Sequence, residues 1–561
     1  MNTLMVTKIS PKSSFYSVLL IGIIAITGLI AYANILNSFF LSDDFVLIAL
    51  LSKLGPFGLW FNQQHGKSLF FRPLLGVISF LDYKIWGLNP LGYHLTNFGF
   101  HLANSFLVGS IAFLFSLNLR LDLKLKRFIP YLAGFIFLLL PSHSEAVSWI
   151  SARTDVIATF FALLSFCTYL NFRHFGKPIK LWISLIAFLA ALLCKESIVS
   201  FPGLIIAYEF YQYSQTKSKK IEKSLTNCLL YIAVLGFYFI WRYLKLGTLV
   251  GGYGEGIHLK FNPIQILYNL IIYPLRSFLS AQFNSSLTFW ISAFIGLVLI
   301  SIFAVIVSYY RHQFQSNIPQ TLLLIIVGFW ICVLPAINVS VSPFDSQGER
   351  YLYWASSFTS IYIALIFTIL VSHFQLCLIL SSILLVSLGL SLNTVNQNWK
   401  FAGEISKSLL SSLQKMPIES PIITTIPDNF RGAYLYRTGL IQGLYLFDLD
   451  NRFNVQFEQK STDKPFETVR FYSNNILLVM MNTLREPSDK IIVNSPQPNQ
   501  YQFQLSNPQT LFFPTPKNTL VTKDYQVSDV QPQSYTLTLK NPSRFQDLLL
   551  YSSGEFVKLS N

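Results

Sequence analysis

Apolar runs of 15 to 25 residues recur from Phe15 to Leu392, separated by short polar stretches, and then stop. Runs of that length match a hydrocarbon layer about 30 Å thick, which needs roughly 20 helical residues. The pattern predicts membrane spans near 15–36, 94–117, 128–141, 156–172, 181–194, 198–213, 225–245, 287–309, 321–339, 353–371 and 375–392, about eleven in all. Several are short, so neighbouring helices or half-buried turns must shield their ends. Residues 393–561 are rich in Asn, Gln, Ser and Pro and hold no run long enough to span. Their pattern predicts a helix at Trp399–Gln414, a strand at Pro421–Ile426, a helix near Tyr434–Tyr445 and alternating strands such as Tyr501–Leu505 and Tyr535–Leu539. The expected architecture is an all-α polytopic membrane domain over 1–392, followed by a small α/β or β-rich water-facing domain over 393–561.

Composition supports that division: 52% of the 561 residues are hydrophobic and only 12% charged, against about 25% charged in soluble proteins. The net charge of +15 raises nucleic-acid binding, but its placement argues otherwise. Residues 393–561 carry 16 basic and 14 acidic residues, whereas residues 1–392 carry 25 basic and 12 acidic. The excess lies in short loops, including Lys124–Arg127 and the Lys217, Lys219, Lys220, Lys223 cluster, as the positive-inside rule requires. With Lys8 and Lys12 placing the N-terminus in the cytoplasm, alternation puts the basic loops inside and, with an odd number of spans, the tail outside. The run at 15–36 exceeds a signal-peptide core of about 7–15 residues and reads as a retained span. The five cysteines lie in or beside apolar runs without metal-binding spacing, as small core residues do.

Nine of the twelve acidic residues before 393 then fall on the outer side: Asp43, Asp44, Asp82, Glu145, Asp155, Glu196, Glu255, Asp345 and Glu349. Since acids follow no strong topology rule, this one-sidedness marks a polar outer face. Asp43-Asp44, just after the first span, is its sharpest feature. A carboxylate there is either a hydrated helix cap or a base able to take a proton from an acceptor hydroxyl. His94, Asn97, His101 and Asn104 share one helical face inside an apolar span. Interhelical hydrogen bonding accounts for the last three, while His94 lies at the outer end. The segment Pro141–Asp155 gathers His143, Glu145, Arg153 and Asp155. Lys195-Glu196 reads as a locally paired charge couple, and Glu349-Arg350-Tyr351 opens a late span. Arg72, Arg153, Lys195 and Arg350 supply cations for an anionic headgroup. The stretches Leu69–Trp86 and Ile264–Phe283 read as interfacial helices.

Together Asp43-Asp44-Phe45, Phe71-Arg72-Pro73-Leu74, Gly92-Tyr93-His94-Leu95-Thr96-Asn97, the Glu145…Trp149…Arg153-Thr154-Asp155 block, Lys195-Glu196 and Glu349–Tyr353 resemble the GT-C polytopic glycosyltransferases. The likeness is to the protein O-mannosyltransferase-related branch that includes the transmembrane-and-TPR enzymes, although the tail shows no 34-residue repeat. The resemblance implies a hexosyltransferase in the membrane. Its donor would be a sugar on polyprenyl or dolichyl phosphate, its acceptor a hydroxyl of a protein, lipid or glycan, and its active site extracytoplasmic. Asp43 or Asp44 would be the base of an inverting transfer. Arg72, Arg153, Lys195 and Arg350 would steady the leaving phosphate, and His94, His143, Glu145, Asp155, Glu196 and Glu349 would orient substrate or those cations. The resemblance also admits a divalent metal, which the outer acids could bind, and a bacterial cytoplasmic membrane as the location. The alternative readings are a transporter or flippase, or a ligase-like assembly protein, for lipid-linked sugars. A transporter predicts inverted repeats and mid-membrane charges, neither of which stands out.

Overall fold

The computed structural model describes residues 11–57, 62–64, 70–119, 121–216, 221–249, 262–280, 317–342, 344–371, 373–417, 421–461, 467–515, 520–541 and 547–559. The expected span at 287–309, the stretch 250–256, Glu255, Lys217, Lys219 and Lys220 lie outside them. Each of the other ten expected spans falls on a helix. Among the described residues, five helices are long and apolar enough to cross a bilayer by length and composition: Pro90–Ser116, Ile150–Phe175, Ser224–Leu246, Ile318–Ala336 and Phe374–Lys415. Ile21–Ile35, Pro178–Leu192 and Ser356–Leu370 are shorter apolar helices.

Local sequence explains the helix ends that carry site residues. Asn89 caps the Pro90–Ser116 helix by accepting from the Leu91 amide at 3.1 Å, with Pro90 in the first turn where its missing N–H costs nothing. Within the bundle, a Cβ at Gly109 would come 2.6 Å from the Pro130 carbonyl oxygen. The Pro90–Ser116 and Leu123–Leu139 helices therefore meet backbone to backbone, as small residues permit in membranes. Outward-facing Ile186, Ile240, Ile383 and Leu390 are exposed, the surface a lipid-facing bundle presents.

The last membrane helix does not end where the composition changes. Phe374–Lys415 runs unbroken for 42 residues, so the expected boundary at 392/393 lies within it. The expected Trp399–Gln414 helix is its continuation. Its second half buries Trp399, Ala402, Leu409 and Leu413. Beyond it lies a mixed six-stranded sheet. Asp547–Ser552, Pro421–Phe430 and Leu477–Leu484 run parallel at its centre, and Glu555–Leu559 and Phe512–Pro514 form antiparallel edges. A four-stranded antiparallel sheet, Tyr525–Gln531, Ser534–Leu539, Gln500–Leu505 and Ile491–Gln497, packs on it. Tyr535 stacks on Phe503 at 4.6 Å and donates to the Thr424 carbonyl. The expected helix near Tyr434–Tyr445 is shorter, Leu440–Leu446, because Ala433-Tyr434 pairs with the sheet instead.

The tail also packs on the membrane half. Asn62–Gln64 pairs in parallel with Glu467–Ser473. The Ser42 amide donates to the Leu435 carbonyl at 2.7 Å, and Phe45 stacks on Tyr436 with rings 5.7 Å apart. The stretches expected to lie at the interface contain the helices Pro73–Trp86 and Pro263–Arg276.

Candidate active site

Asp43 and Asp44 open the short helix Asp43–Leu54, where the N-terminal dipole favours negative charge. The two carboxylates have different surroundings. Asp44 is buried and accepts from the Leu41 amide (3.0 Å), the Ser151 amide (2.8 Å) and the Ser151 hydroxyl (2.6 Å). Burial pushes its carboxyl up to about 7; the Ser151 and Leu41 hydrogen bonds pull the other way, and Asp43 adds a small upward push. Asp43 is half-buried and accepts a hydrogen bond from the hydroxyl of Thr438, an exposed tail residue.

From that pair a contiguous set of contacts runs on to Lys195 and Asp155. The Trp149 indole donates to the Leu41 carbonyl at 3.3 Å, and the Arg350 guanidinium lies 4.9 Å over the Trp149 ring. Tyr351 bridges two cations: Arg350 is 4.7 Å and the Lys195 ammonium 5.2 Å from its ring centre. Lys195 in turn donates to Asp155 at 2.5 Å. Lys195, Asp155, Thr159, Ser197, Tyr351 and Trp354 line a cavity of about 20 Å³, room for roughly one water.

Each cation singled out in the sequence has a carboxylate partner. Arg72 grips Glu196 through Nε (2.9 Å) and Nη2 (2.5 Å). Burial alone would raise Glu196, but Arg72 beside it holds the carboxyl at about 2. Arg153 is fully buried and donates to Asp82 (2.7 Å), Asn97 (3.0 Å) and the Tyr93 carbonyl (3.0 Å). Arg350 donates to Glu145 by a short side-chain bond and by its backbone amide at 2.9 Å. Lys195 and Glu196 are not each other's partners. Lys195 is extended (φ −157°, ψ 134°) before the turn Glu196–Ser200, so consecutive side chains diverge to Asp155 and Arg72.

The remaining candidates make contacts of their own. Glu349 is buried and held by Arg276 (2.5 Å) and Ser280 (2.8 Å). His94 donates to the Ser38 carbonyl at 3.0 Å. His143 bonds Ser356 at 2.6 Å among Phe137, His101 and Tyr353. Asn97, His101 and Asn104 make the interhelical bonds their face implied, to Arg153, to Leu138 and Tyr353, and to Val156 and Tyr353. Asp82 was visible only as one outer acid and Arg276 only as a residue of an interfacial helix. Thr438 had no local signal. Among the described residues, no group of three or more His, Cys, Asp or Glu is placed to hold a metal ion.

No family model matches the chain. Individual relatives do. The Xenopus laevis protein O-mannosyl-transferase tmtc2 is 30% identical over 243 residues, 39% of this chain and 28% of that protein. Human protein O-mannosyl-transferase TMTC3 is 32% identical over 155 residues, 27% of this chain and 16% of the relative. A Caenorhabditis elegans protein O-mannosyl-transferase is 24% identical over 366 residues, 61% of this chain and 48% of the relative. Each match takes in less than half of the relative's length. Solved structures with some likeness include the apo oligosaccharyltransferase of Archaeoglobus fulgidus (11% identity, TM-score 0.45, 73% of this chain and 59% of that one). Another is ArnT from Cupriavidus metallidurans bound to undecaprenyl phosphate (12% identity, TM-score 0.39, 74% and 83%). The chain is thus similar in sequence to protein O-mannosyltransferases, as its motifs indicated.

Proposed function

We propose that this chain is a membrane glycosyltransferase. It moves a hexose, mannose by its likeness to the relatives, from a polyprenyl-phosphate-linked donor to an acceptor hydroxyl on the extracytoplasmic side. The observation that carries the reading is the asymmetry of the acidic pair: Asp44 is buried and takes three hydrogen bonds from Leu41 and Ser151, while Asp43 is half-buried and already meets a hydroxyl. A general base needs hydrogen-bond reach to the proton it takes, and the hydroxyl on Asp43 supports that role. Asp43 removes the acceptor proton, the acceptor oxygen bonds to the anomeric carbon, and the bond from that carbon to the lipid phosphate breaks. The configuration inverts and the lipid phosphate leaves.

Asp44 fixes the base by tying the start of its helix to Ser151. Lys195 is the cation proposed to meet the donor phosphate: its ammonium donates to Asp155, whereas Arg72, Arg153 and Arg350 each spend two or more donors on protein partners. Arg72 and Arg350 hold the surrounding walls through Glu196 and Glu145, and Arg153 is a strut rather than a phosphate ligand, since its donors go to Asp82, Asn97 and Tyr93. The topology that goes with this proposal has the N-terminus in the cytoplasm, the tail outside and eleven crossings. The test is turnover of labelled polyprenyl-phosphate hexoses by the reconstituted protein. Asp43→Asn lowers transfer by about 10²–10⁴-fold with the protein still folded and inserted; wild-type rates in that variant remove Asp43 from the base role.

A further inference from the structure

The hydroxyl that Asp43 meets belongs to the chain itself. Thr438 Oγ1 donates to Asp43 Oδ1 and lies 3.1 Å from Ser42 Oγ. Its turn is pressed hard onto the acidic segment. Gly439 sits at φ +89°, and a Cβ there would come 2.2 Å from the Ser42 carbonyl oxygen. Ser42 itself is held at φ 46°, ψ −115°, a conformation rare for any residue but glycine. Arg437 anchors the other side by donating to Asp428 (2.8 and 2.6 Å) and Gln347 (3.0 Å). Yet the Thr438 side chain is exposed, and a hydrogen bond at such a site adds little to stability. A close approach with backbone strain on one side and an exposed, weakly stabilising contact at its tip is better explained by control of the carboxylate than by a fold clamp.

We propose that Thr438 is a specificity-determining residue that occupies the acceptor-hydroxyl position at Oδ1 of Asp43, so that water competes poorly for that oxygen until an acceptor displaces the Arg437–Gly439 turn. The inference rests on Asp43 being the base. In the reaction it suppresses, a water O–H loses its proton to Asp43, the water oxygen bonds to the anomeric carbon, and the sugar–phosphate bond breaks. The products are free hexose and polyprenyl phosphate.

The first measurement is release of free sugar from polyprenyl-phosphate mannose by the reconstituted full-length protein with no acceptor added. Thr438→Ala should raise release several-fold over wild type, Thr438→Ser should restore the low rate, and Asp43→Asn should abolish release in both backgrounds. Release by Thr438→Ala at or below the wild-type rate, with Asp43→Asn inactive, overturns the role of Thr438 while leaving the base in place. Release that survives Asp43→Asn overturns the base itself. The second measurement locks the turn with S42C/T438C. The oxidised form should lose turnover of the same donor, with a crude membrane extract as acceptor, and regain it on reduction. Undiminished turnover in the cross-linked form overturns the requirement for displacement.

Discussion

Replacing Arg153 by Met separates a strut from a substrate-binding cation. The guanidinium is wholly buried and spends its bonds on Asp82 at 2.7 Å, Asn97 at 3.0 Å and the Tyr93 carbonyl at 3.0 Å. Met replaces the aliphatic stem but not the guanidinium and carries no charge, so the cost is mainly the orphaned acceptors. Asp82 keeps the Thr96 hydroxyl at 2.8 Å as a partner, yet its charge is left in a largely dry setting. Breaking one side of a buried pair costs about 3–5 kcal/mol. Asp82→Asn should cost a similar amount, because Arg153 is then the unpaired ion. The double variant should recover about 1–3 kcal/mol relative to the sum of the singles, the coupling typical of residues in one network. Denaturant unfolding in mixed micelles, followed by tryptophan fluorescence, reads all three. Turnover per folded molecule should fall little in the Met variant. If that variant is as stable as wild type and instead raises the donor KM, Arg153 acts on the donor phosphate and the strut reading is wrong.

Other changes test neighbouring parts of the site. Lys195→Ala should raise the donor KM or lower turnover, and unchanged kinetics would make the Lys195–Asp155 pair purely structural. Glu196, held at about 2 against an ordinary 4.5, stabilises the fold fully above pH 4.5. That contribution, about 3 kcal/mol at most, is lost as pH falls from 4.5 toward 2. Glu196→Gln should flatten stability across that acid window, and an unaltered pH profile would count against the Arg72–Glu196 pairing. Gly439→Ala meets both a positive φ and the Ser42 carbonyl at 2.2 Å. It should destabilise by more than the ~1–3 kcal/mol of backbone strain alone; wild-type unfolding in that variant would mean the turn does not bear on Ser42.

Hydrophobic spacing by itself determined the helices, because an apolar stretch about 20 residues long has one low-energy fate in a bilayer and that fate needs no knowledge of neighbours. It also determined that Asn97, His101 and Asn104 share a face, since their angular positions follow from 3.6 residues per turn. Which acid serves which cation was left to the tertiary structure. The partners are far apart in the chain, Arg72 with Glu196 and Glu145 with Arg350, and adjacent Lys195 and Glu196, which the sequence couples, diverge in an extended-to-turn backbone. The same holds for the acidic pair. Two neighbouring aspartates are equivalent in sequence and become different only when Ser151 closes over one and Thr438, nearly 400 residues downstream, meets the other. Charge pairing and burial depend on distances in three dimensions, which periodicity along the chain does not encode.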